Sequence, residues 1–267
     1  LQVLVLASVL TRETETVAGQ AEELETAAEA VGETASGVEK TADQLEARAR
    51  KLEERADQLE EQAKELDAAA AGIRGGGAAV YPTETVYGLG VDATDPEAVE
   101  RVFELKRRDR SKPLSIGVAN VAAGLRHTRP SERARRFLRA FLPGPVTVVV
   151  EREPSLPDAL TAGRDRVGVR VPDHEMAVSL FERVAPRPVT ATSANRSGAP
   201  SVTHPDELPA GFREAVAAVV DGGRTPGGGS TVVDPDRNVV HRRGAMADAV
   251  VAWLEDATGE EPTVGDG

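Results

Sequence analysis

A heptad pattern of hydrophobic residues runs along the N-terminal part of the chain. Between residues 17 and 66, large aliphatic residues recur every seven positions, and alanines recur with the same period between them. The aliphatic row comprises Val17, Leu24, Val31, Val38, Leu45, Leu52, Leu59 and Leu66, and the alanine row comprises Ala21, Ala28, Ala35, Ala42, Ala49, Ala56 and Ala63. The alternating spacing of four and three residues is typical of a coiled-coil seam. We therefore predict a long coiled-coil helix as an N-terminal extension over residues 1–66.

Charged residues beside this seam bear on how the helix pairs. Glu46, Glu53 and Glu60 hold the e positions, and they would face one another in an antiparallel homodimer. In a parallel homodimer, Arg48 would meet Glu53 of the second helix. Arg55 would likewise meet Glu60, at exposed sites worth roughly a few tenths of a kcal/mol each. Layers of alanine, by contrast, suit close antiparallel pairs. The pattern therefore predicts a homodimer but leaves open whether its helices are parallel or antiparallel. The alternative is a solvated acidic arm without chemistry.

From residue 68 onward, the heptad gives way to short apolar runs that alternate with amphipathic segments. A glycine run at 75–77 ends the long helix. Asp95 and Pro96 then provide the cap and the first residue of a helix to about residue 107, and Ser131 caps another to about residue 142. Strands are predicted at 78–82, 114–118, 146–150, 167–171, 188–192, 231–234 and 239–242, and further helices at 175–184 and 211–220. This alternation predicts a layered α/β domain over residues 67–250, followed by an acidic tail over residues 251–267.

The composition excludes several kinds of site. The 267 residues include no cysteine, which rules out disulfides, thiolate nucleophiles and cysteine-based metal centres. The four histidines are scattered without ligand spacing, so no protein-held metal is predicted. The net charge is −12, and residues 11–66 alone hold 16 acidic and 7 basic side chains. An acidic chain without a basic stripe is not expected to bind DNA directly.

The first ten residues, LQVLVLASVL, are apolar but too few to cross a bilayer, which takes about 20 residues. They also lack the basic flank of a signal peptide. Because the numbering begins at a leucine, the sequence leaves open whether this segment is the remnant of a membrane anchor. We otherwise expect a cytoplasmic protein without stable membrane binding.

Polar residues gather where several predicted strands end. The segment YPTETVYGLG, at residues 81–90, follows an apolar run and contains several hydroxyls and a carboxylate. The run PVTATSAN ends in Ser193 and Asn195. Glycines 227–229 precede Ser230 in a loop whose free amides are suited to wrap a phosphate. Strand ends at one edge of a sheet are where ligands of α/β proteins bind, so these segments are candidates for one shared site.

Lys106 lies at the end of the helix predicted from residue 96. Val99, Val102 and Phe103 form the buried stripe of that helix, and Lys106 continues the stripe with the same spacing. A lysine on a buried stripe needs an anionic partner, and a nucleoside triphosphate would provide one. Arg108, two residues later, adds a planar guanidinium that suits phosphate or carboxylate oxygens. The rest of the run KRRDRSK fits a solvated charged surface.

In their order along the chain, these segments resemble the YrdC/TsaC-type threonylcarbamoyl-AMP synthases over roughly residues 68–248. The resemblance is carried by PTETVYGLG at 82–90, KRR at 106–108, SAN at 193–195 and GGRTPGGGST at 222–231, and the connecting segments PGPVT and VGVRVPDH also fit. It implies a mixed α+β fold, in which a twisted mixed β-sheet flanked by helices surrounds a concave cleft. The N-terminal coiled coil is an addition that the resemblance does not cover.

The resemblance also implies a reaction and the residues that carry it out. The enzyme would join L-threonine, bicarbonate or CO2, and ATP into L-threonylcarbamoyl-AMP with release of pyrophosphate, and ATP would bring Mg²⁺. Lys106 and Arg108 are the implied catalytic residues. The implied ATP-binding residues are Lys106, Arg108, Ser193, Asn195, Ser230 and Arg242, and the implied threonine-binding residues are Thr83, Tyr87, Arg108 and Ser230. A separate transferase would then use the product to modify the adenosine next to the anticodon of tRNA.

The chain departs from the family pattern at Asp109, Gly117 and Gly229, where proline, histidine and glutamate are common. These departures concern substrate contacts rather than the reaction class. Two other functions stay open at this point. One is an RNA-binding or ribosome-assembly module, which the acidic charge disfavours. The other is a carbamoyl-adenylate-forming domain of the hydrogenase-maturation type, whose cysteine-rich zinc fingers this chain lacks.

Overall fold

The computed structural model describes residues 2–265, with side chains from residue 17 onward. The chain divides into two compact units, Leu1–Glu60 and Glu61–Gly267. This division differs from the predicted boundaries at residues 66 and 250. It places the end of the heptad pattern, and the segment expected to form a tail, in the same unit as the predicted α/β domain.

The described part of the first unit belongs to the long helix α1 (Gln2–Arg74), so the predicted N-terminal helix is confirmed. Its aliphatic row is exposed from Val17 to Leu59, with a relative accessibility of 51% at Leu59 and 70% at Leu24 and Leu52. Pairing with a second helix stays a prediction. Whether residues 1–10 are a membrane remnant lies outside the residues whose side chains are described. Across the described residues, no helix has the length and apolar character to cross a membrane.

The second unit is built on a mixed β-sheet. Ten strands form it within the described residues: β1 (Ala79–Tyr81), β2 (Gly88–Gly90), β3 (Ser115–Gly117), β4 (Val146–Glu151), β5 (Arg166–Arg170), β6 (Val189–Ser193), β7 (Ala218–Val219), β8 (Thr231–Asp234), β9 (Val239–Arg242) and β10 (Thr263–Val264). Their order is β10-β9-β8-β4-β5-β3-β6-β2-β1-β7. The pairs β1/β7, β3/β5, β4/β8 and β9/β10 are parallel and the others antiparallel, which confirms the expected mixed sheet.

Helices pack against this sheet in two hydrophobic clusters. After α1 come α2 (Pro96–Lys106), α3 (Val121–Gly124), α4 (Glu132–Phe141), α5 (Asp158–Thr161), α6 (Glu175–Val184), α7 (Phe212–Ala215) and α8 (Ala247–Thr258), with a 3-10 turn at Pro205–Glu207. The larger cluster includes the buried faces of α2, α4 and α8. The smaller one joins α6 to the end of α1, where Leu66, Ala69 and Ile73 are buried.

Two helix starts are confirmed together with their capping residues. The Asp95 carboxylate accepts a hydrogen bond from the Glu97 amide at 2.9 Å, and the Ser131 hydroxyl accepts one from the Ala134 amide at 3.1 Å. At its other end, α2 stops because Arg107 adopts a left-handed conformation with φ of 50°. That turn separates Arg108 from the helix that carries Lys106.

The predicted helix at residues 211–220 is wrong. A helix forms only over Phe212–Ala215, and Val216 is extended, with φ of −107° and ψ of 149°. Ala218 and Val219 then pair in parallel with β1. The segment is rich in valine, whose branched side chain suits a strand, and the open edge of β1 provides the hydrogen bonds.

Strand β2 was not predicted, because glycine has a low propensity for strands. The glycines are required here by close packing. A Cβ atom on Gly88 would lie 2.6 Å from Cζ of Tyr81, and one on Gly90 would collide with the Val189 side chain. The Tyr81 ring therefore lies directly against the β2 backbone.

The C-terminal segment also differs from the prediction of an acidic tail. Val250 and Leu254 are buried on α8, and the Trp253 ring meets the Phe137 ring edge-on at 4.9 Å between centroids. Farther on, β10 pairs with β9. These apolar residues are spaced for one helix face, so they anchor α8 to the domain despite the surrounding carboxylates.

Candidate active site

A cleft of about 1000 Å³ lies across one face of the sheet. Alternate residues of single strands point into it, as Arg166, Gly168 and Arg170 do on β5, because successive side chains of a strand face opposite ways. Six of the eight predicted site residues line this cleft, namely Thr83, Tyr87, Arg108, Ser193, Ser230 and Arg242. Lys106 and Asn195 are buried beside it rather than in its wall.

The loop before β2 is held in shape by Thr83. Its hydroxyl donates to the Val86 carbonyl at 2.6 Å and accepts from the amides of Thr85 and Val86, at 3.2 Å each. The Thr85 hydroxyl lies 3.0 Å from that of Thr83. The polar cluster in YPTETVYGLG thus builds its own turn and keeps two hydroxyls at the cleft wall.

Tyr87 connects this loop to the start of the glycine loop. Its hydroxyl donates to the Gly223 carbonyl at 2.6 Å and accepts from the Gly222 amide at 3.1 Å. Burial, together with the carboxylates of Asp221 and Glu65, raises the pKa of Tyr87 to about 12, although the Gly222 amide opposes this rise. The phenol therefore stays protonated and fixes the loop at residues 222–223.

Within the described residues, Lys106 bonds to carbonyl oxygens rather than to a carboxylate, and its contact with a nucleotide stays a prediction. The side chain is 1% exposed, and its ammonium donates to the backbone carbonyls of Ser193 and Asn195 and, at 3.2 Å, to Oδ1 of Asn195. Burial, with a smaller contribution from the Arg108 charge, lowers the pKa of Lys106 to about 7. Carbonyl oxygens at the end of β6 therefore accept the hydrogen bonds that a buried ammonium needs to donate.

Asn195 is also committed to this turn. Its Nδ2 donates to the Ala199 carbonyl at 2.6 Å, and its Oδ1 accepts from the Ser193 hydroxyl as well as from Lys106. Lys106, Ser193 and Asn195 therefore form one unit. In it, Ser193 alone borders the cleft.

Three of the six arginines that line the cleft, Arg108, Arg170 and Arg242, affect one another electrostatically. Arg108 donates to the carbonyls of Lys112 and Pro113, and Arg242 donates to the carbonyl and hydroxyl oxygens of Ser230. Burial lowers the pKa of Arg108 and that of Arg242. The charge of Arg242 lowers the pKa of Arg108 further, and the charge of Arg170 does the same for Arg242. Their mutual repulsion makes this region of an acidic chain favourable for a polyanion.

Two departures from the expected motif have physical reasons in this cleft. A Cβ atom on Gly117 would lie 2.8 Å from Cζ of Phe181, so the ring fills the space that a larger residue would need. A Cβ atom on Gly229 would lie 4.0 Å from the Arg242 guanidinium. With glycine at that position, no carboxylate is placed next to Arg242 from this loop.

Arg170 and Glu84 were not predicted as site residues. Arg170 donates through Nη2 to Glu84 Oε1 at 2.7 Å, and it is 8% exposed. Its Nε and the Glu84 Oε2 atom are buried without a hydrogen-bond partner among the described atoms. An arginine inside the apolar run VGVRV was the available signal, because a charge in a buried strand needs a partner.

Cleft carboxylates are engaged by arginines rather than arranged for a metal. Glu84 pairs with Arg170, and Asp234 pairs with Arg166 at 2.7 Å. In the portion of the chain with described side chains, no group of three or more histidine or carboxylate residues is placed to hold a metal ion. The cleft offers a polyanion its arginines, and a small polar ligand its hydroxyls.

The chain is similar to proteins of known family. Residues 71–244 match the family model Sua5_yciO_yrdC, which is described as "Telomere recombination". A threonylcarbamoyl-AMP synthase of Pyrococcus abyssi is 41% identical over 168 residues, which cover 62% of this chain and 49% of that protein. The human threonylcarbamoyl-AMP synthase is 34% identical over 206 residues, which cover 73% of each chain.

Among solved structures, the crystal structure of P. abyssi Sua5 complexed with L-threonine matches with a TM-score of 0.67 and 36% identity. The match covers 74% of this chain and 58% of that one. This chain spans about half the length of the P. abyssi and Bacillus subtilis relatives that it matches. The resemblance found in the motifs is confirmed by a family model that covers more than half of the chain and by the human relative. The chain therefore belongs to the Sua5/YciO/YrdC family.

Proposed function

We propose that this chain synthesises L-threonylcarbamoyl-AMP from L-threonine, bicarbonate or CO2, and ATP. The observation that carries the proposal is the convergence of Arg108, Arg170 and Arg242 on one cleft of a chain with a net charge of −12. Such a local positive potential suits the phosphates of ATP. The names of the P. abyssi and human relatives, and the threonine complex of P. abyssi Sua5, support this substrate set.

The chemistry needs no covalent intermediate with the protein. The threonine amine attacks CO2 and loses a proton, which gives a carbamate. A carbamate oxygen then attacks the α-phosphorus of ATP, and the bond to the bridging oxygen breaks to release pyrophosphate. The chain's part in this reaction is to hold the two substrates in line and to neutralise the charge that develops on the phosphates.

In this proposal, Arg108 and Arg242 contact ATP phosphates, and Ser193 and Ser230 provide hydroxyls beside them. Lys106 and Asn195 act on ATP by shaping the end of β6, since the ammonium already holds the carbonyls of that turn. Mg²⁺ arrives with ATP as part of the substrate. This fits a cleft in which Glu84 and Asp234 are already engaged by arginines.

Threonine is assigned to the part of the cleft lined by Thr83, Tyr87 and Ser230. Arg108 also lines the cleft. The planar fork of its guanidinium can bind the threonine carboxylate as well as ATP. The product then passes, in the cytoplasm, to a separate transferase that modifies the adenosine next to the anticodon of tRNA.

The test is an assay of pyrophosphate release with purified full-length chain, ATP and Mg²⁺. We expect release that requires L-threonine and bicarbonate together, with serine a poor substitute. Identical release with every amino acid, or none with threonine, would exclude the proposal. Tight binding of unmodified RNA at physiological salt, without such release, would instead favour the RNA-binding alternative.

We also propose that the first unit pairs two copies of the chain in parallel. Among the residues with described side chains, the aliphatic row on α1 is exposed continuously from Val17 to Leu59. In an antiparallel pair, glutamates at e positions would face glutamates, and arginines at g positions would face arginines, so both sets would repel. In a parallel pair, Arg48 and Arg55 meet Glu53 and Glu60 of the second copy.

The absence of cysteine makes the direction of pairing directly testable. A single cysteine introduced by Leu52→Cys lies on the seam, and mild oxidation should join two copies that are parallel and in register. Glu54→Cys, on the opposite side of the same helix, is the matched control and should not cross-link. Failure of Leu52→Cys to cross-link in a chain that light scattering shows to be dimeric would exclude the parallel arrangement.

A further inference from the structure

The last turns of α1 are part of the unit that contains the cleft. Leu66, Ala69 and Ile73 are buried there. Gly72 packs so closely on Ala217 that a Cβ atom at this glycine would collide with the alanine side chain. The helix thus lies directly against the segment that leads into β7 and onward to residues 221–223.

Glu65 links this helix to the loop that follows β7. Its Oε2 atom accepts a hydrogen bond from the Asp221 amide at 2.9 Å. Asp221 in turn accepts, through Oδ1, a bond from the Gly223 amide at 2.8 Å, and Gly223 has φ of +73°. A carboxylate on a backbone amide is a charge-assisted hydrogen bond, so Glu65 fixes the first residue of a tight turn.

The turn has little room to shift elsewhere. A Cβ atom on Gly222 would lie 2.7 Å from Cγ of Pro82 and 3.2 Å from the Met176 sulfur. The two backbone groups that bond to the Tyr87 hydroxyl, the Gly222 amide and the Gly223 carbonyl, belong to this same turn. The loop then continues to the Gly227 amide, which donates to the Thr85 carbonyl at 2.7 Å.

We infer that Glu65 is a positioning residue for the threonine side of the cleft, acting through the Asp221–Gly223 turn on the hydroxyl of Tyr87. The inference rests on the proposed function in so far as it names threonine as the ligand. Glu65 precedes residues 71–244, which match the family model, and so lies outside the region shared with the family. It makes the base of the long helix part of the machinery that shapes the cleft.

The test compares three variants of the full-length chain. Glu65→Ala removes the acceptor, Glu65→Gln keeps an oxygen that accepts from the Asp221 amide, and Glu61→Ala changes an exposed carboxylate one turn earlier as the control. Hydrogen–deuterium exchange of the peptide that contains residues 221–223 reports on the turn without any substrate. Steady-state kinetics report the KM for threonine and for ATP separately.

We expect faster exchange at 221–223 in Glu65→Ala and near wild-type exchange in the other two variants. In Glu65→Ala, the KM for threonine should rise about fivefold, the change that corresponds to about 1 kcal/mol for one hydrogen bond, while the KM for ATP stays unchanged. Glu65→Gln should restore most of the threonine affinity.

Unchanged exchange in Glu65→Ala overturns the inference, as does an equal rise in both KM values or an equal effect of Glu61→Ala. A wild-type chain without threonine-dependent pyrophosphate release would defeat the proposed function instead. In that case the exchange data still decide whether Glu65 holds the turn, because they require no substrate.

Discussion

The same aliphatic row has two different fates in the two units. Leu59, in the first unit, is 51% exposed, and Leu66, one heptad later in the second unit, is 6% exposed. The residue type and the periodicity are identical, so neither determines burial by itself. Leu66 is buried because α6 and β1 contribute apolar neighbours to its cluster, whereas Leu59 belongs to neither hydrophobic cluster of the described residues.

Hydrogen bonding separates the two units in the same way. In the first unit, Thr26, Thr34 and Thr41 each donate to a carbonyl four residues earlier on α1. In the second unit, Lys106 bonds to Ser193 and Asn195, which lie 87 and 89 positions farther along the chain. The first unit is held by local contacts and the cleft by distant ones. Changes in the second unit should therefore alter turnover, and changes in the first should alter assembly alone.

The largest expected effect comes from Arg108→Ala. Loss of a charge-assisted contact costs about 1.5–3 kcal/mol, so kcat/KM for ATP should fall roughly 10- to 150-fold. Arg107→Ala, which changes the exposed neighbour at the end of α2, is the matched control and should leave kcat/KM nearly unchanged. Similar losses in both variants would show that the run of arginines acts as a diffuse charged surface.

A second variant, Lys106→Ala, should lower turnover by about tenfold or more and also destabilise the fold. Without the ammonium, the carbonyls of Ser193 and Asn195 lose a donor, at a cost of about 1–3 kcal/mol in the free energy of unfolding. Turnover and urea denaturation measured on the same preparation test both parts. Lost turnover with unchanged stability would instead indicate direct contact with the nucleotide.

The lowered pKa of Lys106 adds a pH dependence with a defined sign. The unfolded chain keeps its lysine proton up to the ordinary pKa of 10.5, whereas the folded chain releases it above about 7. Folding therefore releases a proton between these values, and the contribution of Lys106 to stability rises with pH, by at most about 1.4 kcal/mol per unit. The difference in unfolding free energy between wild type and Lys106→Met should increase from pH 7 to pH 9. A constant difference would contradict the lowered pKa.

A smaller effect, on the KM for threonine, is expected for Tyr87→Phe. The variant keeps the buried ring but leaves the Gly223 carbonyl and the Gly222 amide without their partner. We expect the KM for threonine to rise about fivefold, which corresponds to about 1 kcal/mol, with the KM for ATP unchanged. A selective rise in the KM for ATP would place threonine elsewhere in the cleft.

Removal of residues 1–60 should change turnover least of all. The second unit keeps its own hydrophobic clusters and Glu65, so adenylate formation should stay within about twofold of the full chain. Light scattering should show a dimer for the full chain and a monomer for the truncated one. A monomeric full-length chain would leave the first unit as a solvated arm, and lost activity on truncation would break the separation between the units.

Local signals were sufficient to predict much of this fold. Asp95, Ser131 and the heptad row act within a few residues of their own positions, so α2, α4 and α1 were found from the sequence. The missed elements depend on distant partners. Gly88 is in a strand because it pairs with β1 and β6, and α8 is anchored by Trp253 against Phe137.

The site follows the same rule. Arg108, Ser230 and Thr83 were predicted from motifs and line the cleft. The carbonyl partners of Lys106 were not predicted, because the sequence does not show that the end of β6 approaches α2. Arg170 was missed for a related reason: its partner, Glu84, is 86 positions away in the sequence.

The guanidiniums of Arg108, Arg170 and Arg242 should make ATP binding depend on ionic strength. Dissolved anions compete with a nucleotide for these charges, and at about 1 M salt the screening length shrinks to roughly 3 Å. Attraction at a distance is then lost, while contacts at hydrogen-bonding range persist. In concentrated brine this cleft would recruit ATP slowly. It would select its substrates by short-range fit, through hydrogen bonds from hydroxyls and backbone amides, because the strength of these bonds depends little on dissolved ions.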